Sequence, residues 1–215
     1  MVINMEVNNI EIVKPMDIEK RSFEIITEHL NGRSFGPDKD DIVKRVIHTS
    51  ADFDYADNLV FSEGVVDKAL QAIKNGATIV TDTNMAYSGI NKKILESFGG
   101  QAHCYMADED VAAKAKERGI TRAMVSMEKA CDIKGDLILA IGNAPTALIW
   151  IDKLVKEGKM NPSLVIGVPV GFVNVVESKE LIIKSDIPYI VARGNKGGSN
   201  VAAAICNALL YKLKR

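Results

Sequence analysis

Little in this chain is built for cross-links, metal or membranes. Its three cysteines, Cys104, Cys131 and Cys206, form no Cys-x-x-Cys pair, and no histidine is spaced to complete a zinc site. Free thiols in a reducing compartment follow. Charge is balanced as well: 27 Lys+Arg stand against 28 Asp+Glu, a net charge of -1, with no basic block, so the electrostatic footprint of a nucleic-acid surface is missing. The longest uncharged apolar stretch, residues 164–173, is interrupted by Gly167, Pro169 and Gly171 and falls far short of the ~20 residues that cross a bilayer. Charges at Glu6, Glu11, Lys14, Asp17, Glu19, Lys20 and Arg21 leave no room for the apolar core of a signal peptide. A cytoplasmic protein is expected. No repeat, linker or low-complexity tract divides the 215 residues, so residues 1–215 are read as a single domain.

What the chain does contain is an alternation. Short apolar runs at residues 77–81, 136–141, 163–168 and 188–192 are separated by helical patterns, with a weaker strand at 101–106. The runs are continuous (LILAI, LVIGV, YIVA) rather than alternating, as in strands covered by helices on both faces. The expected fold class is α/β, a mostly parallel doubly wound sheet, with the first fifty residues adding a helical layer. Helix stops are marked by Gly32, Gly76, Gly119 and Gly158, Pro145 suits the first turn of a helix, and Gly198 opens a last helix rich in alanine.

In such a sheet, ligands bind beyond the carboxyl ends of the strands, and the residues there are unusual. The four runs are followed by Asp82-Thr83-Asn84-Met85, by Gly142-Asn143-Ala144-Pro145-Thr146, by Pro169-Val170-Gly171-Phe172, and by Arg193-Gly194-Asn195-Lys196-Gly197-Gly198-Ser199. The last loop combines two cations with a glycine-rich helix start whose free N–H groups suit an anion. It matches neither phosphate-loop pattern, so a carboxylate is as good a ligand as a phosphate, and tight loop packing alone is the alternative. Asn143 and Thr146 are also plain helix-capping types. Of the three histidines, His29 and His103 read as structural; His48 closes a helical pattern before Thr49-Ser50-Ala51-Asp52, where it is either a C-terminal cap or a functional group at the rim.

These segments, in this order, resemble the precorrin-8X methylmutases. The likeness is carried by Arg21-Ser22-Phe23, Arg45-Val46-Ile47-His48, Asp82-Thr83-Asn84-Met85, Thr121-Arg122, AIGNAPTAL at residues 140–148, GVPVGFV at 167–173, Glu177-Ser178-Lys179, and Arg193-Gly194 with Gly197-Gly198-Ser199. The resemblance implies a homodimeric isomerase of cobalamin biosynthesis. Such an enzyme moves a methyl group from C-11 to C-12 of precorrin-8X or cobalt-precorrin-8, giving hydrogenobyrinate or cobyrinate, with no cofactor and no resident metal. It makes His48 the proton donor and Arg21, Ser22 and Arg122 substrate contacts, alongside rim residues Asp82, Thr83, Asn84, Met85, Gly142, Asn143, Ala144, Thr146, Val170, Gly171, Phe172, Arg193, Gly194, Gly197, Gly198 and Ser199. Two other readings remain open at this point: a corrinoid-binding protein without catalysis, and a nucleotide-dependent enzyme using the 193–199 loop as a phosphate cradle.

Overall fold

The computed structural model describes residues 13–214. After a 3-10 turn at Pro15–Asp17 come α1 (Ile18–His29), α2 (Asp40–Ser50) and the single turn α3 (Tyr55–Asn58), which leads into β1 (Leu59–Phe61). Then follow α4 (Val65–Lys74), β2 (Thr78–Thr81), α5 (Asn84–Gly89), α6 (Lys92–Glu96) and β3 (Gln101–His103). The second half holds α7 (Glu109–Arg118), α8 (Arg122–Ala130), β4 (Leu137–Ile141), α9 (Pro145–Lys156), β5 (Leu164–Gly167), α10 (Val175–Ile183), β6 (Tyr189–Ala192) and α11 (Ser199–Leu213). Among the described residues no helix is long and apolar enough to cross a membrane.

The six strands form one sheet in the order β1-β6-β5-β4-β2-β3, parallel throughout except where β1 runs against β6. All five residues of β4 are buried, because the pleat sends Ile138 and Ala140 to one core and Leu137, Leu139 and Ile141 to the other. That two-sided burial is what the continuous run LILAI encoded. One face is covered by α4, α5 and α11, the other by α8, α9 and α10. Helices α1 and α2 form a further layer, α2 lying on α11, as expected of the N-terminal segment.

Glycines end the helices where expected: Gly119 caps α7 in the left-handed region at φ 62°, and Gly158 follows α9 at φ 67°. The weaker strand is shorter than read, ending at His103 and passing into a 3-10 turn at Tyr105–Ala107. The antiparallel β1 was not foreseen, since three residues carry no periodicity.

From β2 the chain passes to the β3 edge and then returns to the other side of β2 as β4, so the strand order reverses between β2 and β4. Loops leaving these two strands diverge, and a crevice opens at such a switch point. The third wall is the start of α11, which presses so closely that a Cβ on Gly142 would stand 2.7 Å from Ser199 Cα and 2.9 Å from its nitrogen. Both are backbone atoms with no slack. We expect Gly142→Ala to lower stability by about 1–3 kcal/mol through this overpacking. Gly158→Ala, where nothing lies within 4 Å, should lose only about 1 kcal/mol through its positive φ. Urea midpoints for the two variants check the order, and a Gly142→Ala protein as stable as Gly158→Ala would disprove the close fit.

Candidate active site

The switch point is held by one buried carboxylate. Asp82, directly after β2, is 1% exposed; its Oδ1 accepts from the Gly142 N–H at 2.8 Å, and its Oδ2 accepts from Asn143 N at 2.8 Å and Ala144 N at 2.6 Å. Burial pushes this carboxyl above the usual carboxylate range, against the pull of the three N–H groups. Asp82 therefore lies beneath the rim loops and fixes them, rather than standing among the exposed rim residues as its sequence position suggested. Its neighbour Thr83 caps α5 by accepting from Ala86 N at 3.1 Å, and the same hydroxyl lies 2.7 Å from Ser199 Oγ. Loops after β2, β4 and β6 meet here.

The other pair of loops is zipped by backbone. Gly198 N donates to Val168 O at 2.9 Å and Gly171 N to Asn195 O at 3.1 Å, while Asn195 Nδ2 returns a bond to Gly171 O at 2.7 Å. Of the anion-binding N–H groups expected at residues 197–199, that of Gly198 is thus already taken. The apolar tip stands outward, with Val170 48%, Phe172 89% and Val173 78% exposed, and across the rim Met85 is 70% exposed.

The cations are less available than their positions implied. Arg193 Nε pairs with Glu180 at 3.2 Å, and Lys196 Nζ reaches Asp52 and Asp54, each at 2.6 Å. Arg21 pairs with Glu24 and Glu28 at 3.6 and 3.7 Å, and Ser22 turns its hydroxyl back to Ile18 O at 2.9 Å. Arg122 differs. It is exposed and has no partner among the described residues, and it opens α8 next to Thr121, whose hydroxyl lies 3.0 Å from that of Thr146 in the first turn of α9.

His48 sits in the last turn of α2 and is exposed. It is not the cap: Ala51 takes the left-handed position at φ 53° and its N–H donates to Ile47 O at 2.7 Å. The His48 side chain makes no hydrogen bond among the described residues. Its ring lies 5.5 Å from that of Phe23, tilted by 31°, so the residue of the RSF piece that touches His48 is Phe23, to which sequence reasoning gave no role. One turn earlier, Arg45 is pinned by Glu19 at 2.7 Å and stacks on Phe23 and Tyr211. His48 borders a cavity of about 310 Å³ shared with Met85, Gly89, Asn200 and Asn207, which brings the end of α2 to the rim. A larger hollow of about 500 Å³ lies on the far side of Arg45 among Glu19, Lys20 and Lys212, away from these loops.

A second missed residue is Lys179 in α10. It is 0% exposed, and its Nζ donates to Gly194 O at 2.7 Å and Lys196 O at 2.8 Å; burial pulls its pKa down to about 8. The Glu177-Ser178-Lys179 piece was visible in the sequence, but nothing local said that the lysine points inward. Of the histidines read as structural, His29 bonds Ile25 O at 2.9 Å and His103 stacks on Tyr105.

Comparison with known proteins finds relatives over nearly the whole chain. Residues 17–212 match the family model described as precorrin-8X methylmutase. A cobalt-precorrin-8 methylmutase of Priestia megaterium is 45% identical, covering 92% of this chain and 88% of that protein. One from Salmonella typhimurium is 44% identical, covering 94% and 98%. The solved precorrin-8X methylmutase of Thermus thermophilus superposes with a TM-score of 0.83 at 36% identity, covering 91% of this chain and 96% of that one.

Asp82→Asn retains one acceptor and sets an NH2 group against backbone N–H groups, so we expect a loss of about 2–3 kcal/mol in folding stability. Guanidinium unfolding checks it; a change below about 0.5 kcal/mol would mean that the carboxylate is not what holds the rim.

Proposed function

The chain belongs to the precorrin-8X methylmutase family, isomerases of cobalamin biosynthesis that transfer a methyl group within a corrinoid, and from that premise we propose how it acts. The substrate is the macrocycle in its cobalt-containing form, as in the names of the relatives at 44–45% identity, and the metal belongs to the substrate. The methyl group leaves C-11 as its bond to C-12 forms, a [1,5]-sigmatropic shift that needs no external donor. His48 supplies a proton to the conjugated ring system, drawing electron density from it while the methyl migrates. Because an isomerisation leaves the atom count unchanged, the proton must be returned, and an imidazole gives and takes protons readily near neutral pH.

The observation that carries this reading is His48 itself: an exposed ring, free of hydrogen bonds among the described residues, leaning on Phe23 at the border of the rim cavity. Phe23 limits how the ring turns. Met85, Val170 and Phe172 offer an apolar surface to the face of a flat macrocycle, and Arg122 offers an unpaired cation to one of its acetate or propionate carboxylates. The cavity of about 310 Å³ is at the low end of small-molecule sites, which run from ~300 to ~1,000 Å³. A large disc would still stand proud of it, and we infer that a second copy of the chain, related by a twofold axis, completes each site.

His48→Asn should lower single-turnover rates, read from the visible spectrum, by about 10²- to 10⁴-fold. Product affinity and thermal stability should stay near those of the unaltered protein. A full rate would reject the assignment of the acid. Sedimentation equilibrium should report a dimer at micromolar concentration, and monomer alone would overturn the shared site.

A further inference from the structure

We propose that Lys179 is a positioning residue of the rim, which turns two peptide groups of the 193–199 loop so that their N–H groups form a seat for a substrate carboxylate. The argument starts from the planarity of the trans peptide bond, in which C=O and the following N–H point in opposite directions. The Lys179 ammonium, fully buried, draws the carbonyls of Gly194 and Lys196 inward at 2.7 and 2.8 Å. The N–H groups of Asn195 and Gly197 belong to those same two peptide planes. They therefore point away from the buried ammonium, and neither finds an acceptor among the described residues.

The loop has little freedom to relax out of this shape. A Cβ on Gly197 would stand 2.1 Å from Val168 O and 2.8 Å from Pro169 O, and Asn195 is bonded to Gly171 through both its backbone carbonyl and its side chain. No carboxylate pairs with Lys179 in the described structure, so its charge is not cancelled beneath the loop. Two outward N–H groups two residues apart over a buried positive charge suit an anion with two oxygens. The loop's own side-chain cations, Arg193 and Lys196, are meanwhile occupied by Glu180, Asp52 and Asp54. This inference rests on the proposed corrinoid substrate, whose rim carries several carboxylates.

Lys179→Met keeps the length and apolar volume of the side chain but not its donors, freeing both carbonyls to rotate. Its expected effect is a rise in KM and in the product dissociation constant of about 10- to 100-fold, with the smaller change in kcat. The preference for cobyrinate as the free acid over its methyl ester should shrink by the same factor. A loss that treats acid and ester alike would mark Lys179 as structural only and overturn the proposal. Should the variant not fold, the unaltered protein decides: in ¹⁵N-labelled protein the amides of Asn195 and Gly197 should move on titration with the free acid and with propionate, and stay still with the ester. Silent amides in a protein that turns over its substrate overturn the seat while the functional reading stands. Amides that respond to propionate in a protein without turnover support the seat and overturn that reading, and silence with no turnover overturns both.

Discussion

A carboxylate removed from water must find hydrogen-bond donors or destabilise the fold by several kcal/mol, and at Asp82 all the donors come from one place: three successive backbone N–H groups of the loop after β4. This fastens the two strands between which the sheet reverses direction. With the loop after β4 fixed, Gly142 leaves room for the backbone of Ser199, and the Ser199 hydroxyl meets Thr83. The start of α11 is thereby set, and α2 rests on α11. The position of His48 at the rim thus traces back, through the start of α11 and the packing of α2 upon it, to a side chain that solvent hardly touches.

Lys196 completes that frame from the other side. Its reach to Asp52 and Asp54 ties the loop after β6 to the turn that follows α2, and it holds Asp52 below the usual carboxylate range. These ion pairs are largely exposed, so their energetic worth is small; their geometric effect is to hold the turn after His48 against the loop after β6. A rim assembled from fixed donors needs less ordering when a ligand arrives than one built from loose lysines.

Where the sequence was informative, the physical reason is the same each time: the signal was local and repeated. LILAI and LVIG announce strands buried on both faces, Pro145 and Gly119 bracket helices by their backbone geometry, and the polar segments after each strand announce a ligand rim. What stayed hidden depends on partners far away in the chain. A polar residue after an apolar strand looks the same whether it faces a ligand or a loop 60 residues on, so the inward turn of Asp82 was invisible. The pairing of Lys196 with Asp52 and Asp54, and the contact of Phe23 with His48, join elements that only the tertiary fold makes neighbours. The short α5, α6 and α8 lacked the length to show a period, and β1 takes its direction from β6 rather than from its own three residues.

The same short strand has a bearing on assembly. A sheet is open to lengthening only at its edges, where unpaired backbone groups await another chain. Here both edges are stubs: Leu59–Phe61 on one side and Gln101–His103 on the other, three residues each. A neighbouring molecule would gain only a few ladder bonds from either, too few to outweigh the cost of ordering. Among the described residues the sheet is in this way guarded against edge-to-edge aggregation, and helices and loops offer a second copy far more surface than either strand edge.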